Sequence, residues 1–294
     1  GREPEVVETH AAFVFLVGES AFKLKKAVNL GYLDFSTIER RRHVLERELK
    51  LNRRTAHEMY RRVVPITQDG GKLAIDGRGT PADYILEMKR FPNGALLSEL
   101  ADQGKLDVGL IEKLAHHVAA FHANAASIFL LWPSAIKRIA DENIADIKAQ
   151  SDFDPDAVER HIRARDAALA FAKEALAHQS NAVRHCHGDL HLRNAFVDHG
   201  RPILFDCIEF DDFYAEIPPL YDLAFLLMDL CARDLNMQAN RALNAWIMDQ
   251  PPQRWRGLLE DLAALPAYLT LRAEIRAKTE GLKPDGAESA RRYL

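Results

Sequence analysis

The first part of the chain alternates apolar and polar positions in short runs bounded by turn residues. Val6-Val7, Phe13-Val14-Phe15-Leu16-Val17 and Ala21-Phe22-Lys23-Leu24-Lys25 read as strands, the last two joined by a turn at Gly18-Glu19-Ser20. Ser36 followed by Glu39 is a helix-start signature, and Ile38, Leu45 and Leu49 carry that helix on to Arg54. Strands resume at Val63-Val64-Pro65-Ile66 and Asp83-Tyr84-Ile85-Leu86-Glu87-Met88, with a Gly-rich run from Asp69 to Gly79 between them. From Leu96 the period lengthens. Ile111, Ala115, Val118 and His122 are spaced as one face of a helix, on which His122 is expected to be a hydrogen-bonded core histidine. Residues 126 to 180 continue as Ala-rich helices charged on one side. Asn194 to Val197 and Pro202 to Phe205 flank a turn at Asp198-His199-Gly200, and long helices run from Leu220. The pattern predicts an α+β chain, with a sheet-rich part at 1–92 and a helix-rich part at 93–294. Lys89-Arg90-Phe91-Pro92-Asn93-Gly94 forms the hinge between them.

Composition narrows the function classes. At 294 residues and 48% hydrophobic, the chain can bury a substantial core. Its formal charge of -4, from 39 basic and 43 acidic residues, lacks the basic excess of a nucleic-acid-binding domain, so no nucleic acid partner is expected. Cys186, Cys207 and Cys231 match no disulfide framework and no CxxC pattern, which favours a reducing, cytoplasmic setting. No apolar run approaches the ~18 residues of a membrane helix, so no membrane association is expected.

The chemistry concentrates in His187-Gly188-Asp189-Leu190-His191-Leu192-Arg193-Asn194. Phosphoryl transfer needs a carboxylate to orient the attacking hydroxyl, oxygen ligands for magnesium, and cations on the phosphates. Asp189 and Asn194 share one tight loop, and the hairpin that follows carries Asp206 back beside Asn194, giving an all-oxygen pair suited to a hard cation.

His-Gly-Asp-x-His-x-x-Asn, then Phe-Asp-x-x-Glu-Phe at 205–210 and Tyr-Asp-Leu-Ala at 221–224, resemble the aminoglycoside phosphotransferase and choline kinase-like superfamily. Glu8-Thr9-His10, the run Ala21 to Lys26, Leu33 to Thr37 and Glu48 to Arg54 resemble, more narrowly, a bacterial group often fused to a C-terminal P-loop kinase-like domain. The resemblance spans nearly the whole chain. It implies a two-lobed protein kinase-like fold, with an N-terminal antiparallel sheet lobe bearing one helix and a mainly helical C-terminal lobe. It further implies transfer of the ATP γ-phosphate, with Mg2+, to the hydroxyl of a small molecule. Asp189 becomes the catalytic base, Asn194 and Asp206 the metal ligands, and Glu209 a further metal or acceptor contact. His187 braces the loop, Asp222 accepts its backbone hydrogen bonds, and His191 stands near the transferred phosphate. Lys23, or Lys25 on the same strand face, contacts phosphate; Glu48, with Glu46 second, pairs with that lysine. Backbone groups at Glu87, Met88 and Arg90 grip the adenine. The Gly-rich phosphate loop of protein kinases is missing, which leaves Thr9, His10 and backbone N–H groups as phosphate contacts there.

Two competing readings, and one question about the acceptor, follow from the same residues. His185, Cys186, His187 and His191 cluster as a zinc site would, although the spacing matches no common one. A nucleotide-binding regulatory domain without turnover would use the same lobes. On the acceptor side, Glu209, Asp211, Asp212 and Glu216 are all acidic and would favour a cationic acceptor, a preference that Arg272 and Arg276 would reverse if they reach the cleft. The interval between Asp206 and Asp222 is short and has no Ser or Thr, unlike a protein kinase activation segment.

Overall fold

The computed structural model describes residues 4–9, 11–29, 33–179, 182–283 and 286–294. Strands β1 (Glu5–Glu8), β2 (Ala12–Val17) and β3 (Ser20–Lys25) precede helix α1 (Ile38–Asn52), and β4 (Tyr60–Asp69), β5 (Lys72–Ile75) and β6 (Thr80–Lys89) follow it. Then come α2 (Leu97–Asp102), α3 (Val108–Asn124), α4 (Trp132–Lys148), α5 (Pro155–Phe171), α6 (Lys173–His178), β7 (Arg184–His185), β8 (Ala195–Asp198), β9 (Arg201–Leu204) and β10 (Glu216–Ile217). The chain ends in α7 (Pro219–Cys231), α8 (Asn236–Met248), α9 (Trp255–Asp261), α10 (Leu265–Gly281) and α11 (Ala287–Arg291).

The six N-terminal strands form one antiparallel sheet in the order β1-β2-β3-β6-β4-β5, and α1 packs against β4 and β6. The Gly-rich run between the two later strands is not a plain loop, because β5 folds back on β4 within it. Helix α1 starts one residue later than the Ser36 signature suggests. Thr37 is the N-cap and accepts from the Arg40 N–H, while the Ser36 hydroxyl is drawn to Asp34 Oδ1 at 2.6 Å. Its buried face is Arg41, Leu45, Glu48 and Asn52, a helical stripe that is mostly polar.

Two apolar cores result. Leu45, Met59, Tyr60, Leu86 and Met88 fill the space between sheet and α1, and Phe196 of β8 joins them from the helical part. Phe91, Phe196 and Phe205 bring their rings within 4.9–5.7 Å of one another where the two parts meet. The larger core surrounds α7, whose residues Leu220 to Leu230 are all buried, as its nearly unbroken apolar sequence requires. The fold is α+β: a curled antiparallel sheet with one helix, then a mainly helical part, as in two-lobed kinase-like proteins.

Candidate active site

The loop from His187 to Asn194 is fixed from beneath by α7. Asp222, in the first turn of that helix, accepts from the Gly188 N–H at 2.9 Å, the His187 N–H at 3.0 Å and His122 Nε2 at 3.0 Å. His122 is the core histidine its helical face suggested, its Nδ1 accepting from Trp246 Nε1 at 3.1 Å. Burial pushes the Asp222 carboxyl up, but the His122 hydrogen bond and the charges nearby outweigh it and hold the group at about 2. Gly188 has φ +85, and a Cβ there would lie 2.8 Å from Ile208 Cδ1 and 3.0 Å from the Tyr214 carbonyl, so the turn admits only glycine. Arg272 donates to the Gly188 carbonyl at 3.1 Å and lies 3.9 Å above the Tyr221 ring. It is buried loop scaffolding and does not set the charge of an open cleft. His187 donates from Nε2 to the Phe205 carbonyl at 2.9 Å and accepts at Nδ1 from the Asp189 N–H at 3.3 Å. Both ring nitrogens thus have partners in the loop or beside it.

Asp189 and Asn194 meet across the loop, where the Asn194 side-chain amide donates to the Asp189 carbonyl at 3.0 Å and to its Oδ2 at 2.7 Å. The Asn194 Oδ1 is left as an acceptor. His191 brings Nε2 to 3.3 Å from Asp189 Oδ1 and packs edge-on against Phe225. Burial pushes the Asp189 carboxyl up, and His191, His187 and Arg276 overcome that and hold it well below the usual carboxylate range. Arg276 itself pairs with Glu280. The turn at His199 and Gly200, both with positive φ, returns β9 along β8, and the Phe205 N–H donates to the Asn194 carbonyl at 3.0 Å. Asp206 therefore emerges beside Asn194. It sits in the left-handed region at φ +61, a costly place for a residue other than glycine, with its N–H on the Tyr60 hydroxyl at 3.2 Å. The next N–H, of Cys207, donates to Asn52 Oδ1 at 2.8 Å.

Alternation along β3 puts Lys23 and Lys25 on one face, and both reach Glu48, on separate oxygens. Lys23 Nζ lies 2.7 Å from Glu48 Oε1 and 2.8 Å from Asp206 Oδ1. Lys25 Nζ lies 2.7 Å from Glu48 Oε2 and 2.6 Å from Glu209 Oε1. Burial opposes the charge on Lys23, but Asp206 and Glu48 more than offset it and raise its pKa. Glu46, the second choice as partner, is exposed and pairs with Arg42. Glu209, expected near metal or acceptor, is turned toward Lys25.

Other expected contacts are not assembled. The Thr9 hydroxyl closes its own turn, bonding the Ala12 carbonyl at 3.1 Å and the Ala12 N–H at 3.0 Å; it is a turn residue. His10 lies outside the described residues. The Glu87 carboxylate pairs with Arg61 and Arg62, and Met88 is buried opposite Ala21 and Tyr60. The Arg90 N–H donates to the Glu19 carbonyl at 2.9 Å and the Lys89 N–H to Met59 at 2.8 Å, so neither is open to a purine; the Arg90 side chain holds Glu5 and Asn93. The zinc cluster does not converge either. His185 pairs with Asp212, Cys186 Sγ with the Ile217 carbonyl and His187 with Phe205. His122, Cys186 and Asp222 do lie close together, but these ligand atoms already serve the loop and the core. Two of the four acids in the run have cationic partners among the described residues. Lys25 takes Glu209, Arg47 and His185 take Asp212, and Asp211 caps its own turn at Phe213. Sequence reasoning missed Asn52, Tyr60 and Arg47. Asn52 alone carried a signal, since it falls one turn beyond Glu48 on the same helix face.

The model of a phosphotransferase enzyme family matches residues 43–258. An uncharacterized protein of Mycobacterium tuberculosis strain H37Rv is 28% identical over 99% of this chain, which spans 58% of that relative's length. Among solved structures, a choline kinase from Cryptosporidium parvum Iowa II superposes with a TM-score of 0.61 at 14% identity, covering 99% of this chain and 87% of that one. An amicoumacin kinase in complex with AMP-PNP and Ca2+ gives 0.55 at 15% identity, covering 99% and 86%. At these identities the likeness speaks to the fold. Among the described residues, no helix is long and apolar enough to cross a membrane.

Proposed function

The chain belongs to the phosphotransferase enzyme family, and on that premise we propose that it moves the γ-phosphoryl group of ATP, taken as its magnesium complex, to a hydroxyl of a small molecule. The carrying observation is the meeting of three groups from distant parts of the chain. Asp189 and Asn194 are bonded to each other, Asp206 is returned beside Asn194, and Lys23 with Glu48 faces Asp206 from the other lobe. Asn194 Oδ1 and the Asp206 carboxylate form a hard oxygen set that fits magnesium, and the bound metal would neutralise charge on the phosphates. The nucleotide complex of the amicoumacin kinase, with its divalent cation, supports the same cofactor class.

In the reaction so read, the acceptor oxygen forms a bond to the γ-phosphorus while the bond to the β–γ bridging oxygen breaks, and ADP leaves with that electron pair. The acceptor proton passes to the Asp189 carboxylate. A strongly acidic Asp189 is a poor base for the ground-state hydroxyl, so it acts first by orienting the hydroxyl and receives the proton late. His191 positions that carboxylate, and Lys23 releases Asp206 to meet phosphate. A purine at the edge of β6 would use carbonyls there or N–H groups beyond Arg90. We place the lobe boundary near residue 92. The acceptor is read only as a small hydroxyl compound, because the partners of Glu209 and Asp212 weaken the basis for a cationic preference.

The test is an acceptor screen. Purified protein with magnesium and γ-labelled ATP is offered fractionated small molecules from a cell extract and, separately, the protein fraction. Label in small molecules with matching ADP release is expected. Label confined to protein would reject the small-molecule acceptor, and magnesium-dependent nucleotide binding without turnover would favour the regulatory reading.

A further inference from the structure

Five charged side chains form one alternating chain: Asp206, Lys23, Glu48, Lys25, Glu209, with contacts of 2.8, 2.7, 2.7 and 2.6 Å in that order. Its two ends belong to one short segment, so the backbone from 206 to 209 closes it into a ring that joins β3, α1 and that segment. Asp206 is the member of the ring most open to solvent. Side-chain exposure is 39% for Asp206 and 13% for Lys23, against 0% for Glu48, 3% for Lys25 and 11% for Glu209. Lys25, walled off further by the Phe35 ring at 5.4 Å, has no route to a ligand.

We propose that Lys25 and Glu209 are positioning residues for phosphoryl transfer, forming the clamp that holds Glu48 and the Asp206 segment in register with β3 when Lys23 and Asp206 part to receive a magnesium nucleotide. The inference rests on the phosphotransferase reading above. Substrate entry replaces the exposed Lys23–Asp206 contact with contacts to phosphate and metal, while the three buried contacts have nothing to replace them. Without Lys25, one Glu48 oxygen and the Glu209 carboxylate become buried negative groups lacking a partner, a change that displaces both of them. Glu48 then ceases to fix Lys23, and Asp206 loses its tie two residues beyond Cys207. Segment 206–212 is held as well by the Tyr60 hydroxyl at the Asp206 N–H, by Asn52 at the Cys207 N–H, by the His187 carbonyl at the Ile208 N–H, and by Arg47 and His185 at Asp212, so the clamp's own share is what the variants must isolate.

Lys25→Met, Lys25→Arg, Glu209→Gln and the Lys25→Met/Glu209→Gln pair test this through binding of magnesium ADP and the intrinsic hydrolysis of magnesium ATP, which needs no acceptor. Wild-type binding is measured first; a wild-type chain that binds no magnesium nucleotide rejects the phosphotransferase reading and the clamp's role with it. Given binding, each single charge-removing variant should lower kcat for hydrolysis by roughly 10- to 100-fold and raise the half-saturating magnesium concentration. The charge-balanced pair should recover most of one single loss, and Lys25→Arg should stay within roughly threefold of wild type. Variants that melt earlier but keep kcat and magnesium dependence would make the cluster merely structural. A Lys25→Met loss confined to KM for ATP and unaltered by Glu209→Gln would make Lys25 a direct phosphate ligand. Either result overturns the proposal. If Lys25→Met does not fold, Glu209→Gln and Lys25→Arg alone carry the same readouts.

Discussion

The two faces of the cleft are built on opposite electrostatic principles. On the helical side, the loop around Asp189 hangs from one buried carboxylate whose oxygens receive two backbone N–H groups and the His122 ring. On the sheet side, Lys23, Lys25 and Arg47 each meet an acidic residue of the 206–212 segment through an ion pair. Hydrogen bonds from fixed backbone need no ligand to complete them, so on the proposed function the helical face would be already arranged for the acceptor hydroxyl. Ion pairs between mobile charged side chains are different. Separating one leaves a buried charge without a partner unless a ligand charge takes its place, which on the same reading would make the sheet face the one that responds to nucleotide.

If this division holds, Asp189→Asn should lower phosphoryl transfer by about two to four orders of magnitude while magnesium ADP binds nearly as to wild type. Single-turnover ADP release beside a binding titration measures both, and wild-type turnover in the variant would remove Asp189 from its role. The next largest effect is on stability. Asp222→Ala strips the acceptor from the His187 and Gly188 N–H groups and from His122, and should cost about 3–5 kcal/mol in urea unfolding. A cost under about 1 kcal/mol would mean that the loop is anchored elsewhere.

Acid should test the anchor of the helical face as well. The folded Asp222 carboxyl, at about 2, is more acidic than a free aspartate near ~4, so its contribution is complete above about pH 4 and is lost as pH falls through about 2. The loss amounts to about 2 kcal/mol. Comparing acid unfolding of the wild type with Asp222→Asn isolates it, and identical pH slopes would contradict the assignment. The smallest effect is expected at the sheet tip, where Thr9→Val should cost about 1 kcal/mol of stability and leave nucleotide affinity unchanged. A tenfold weaker affinity would return Thr9 to the phosphate site.

Asp189, Asn194 and Asp206 were legible in the sequence because a tight loop and the hairpin after it set their spacing, and Asp222 because Tyr-Asp-Leu-Ala is part of the family resemblance. Lys23 was legible only as one of a pair, since a strand's period of two cannot rank positions on the same face. Glu48 stands among so many charges on α1 that nothing local marks it as a core position, yet it is fully buried. Arg41, Glu48 and Asn52 occupy a buried stripe that an apolar count would not find. The acidic run after Asp206 promised a negatively charged cleft, because sequence shows charges without their partners.

What the sequence determined by itself was therefore local: the order of strands and helices, the glycine at 188, the turn at His199-Gly200 and the loop that carries Asp189 and Asn194, all of which depend on backbone preferences within a few residues. Tertiary structure decided which charges meet. Lys25 and Glu209, or Lys23 and Asp206, are nearly two hundred positions apart in sequence but within hydrogen-bonding distance in space. Coulomb and desolvation energies depend on separation and burial, and neither quantity exists until the chain has folded.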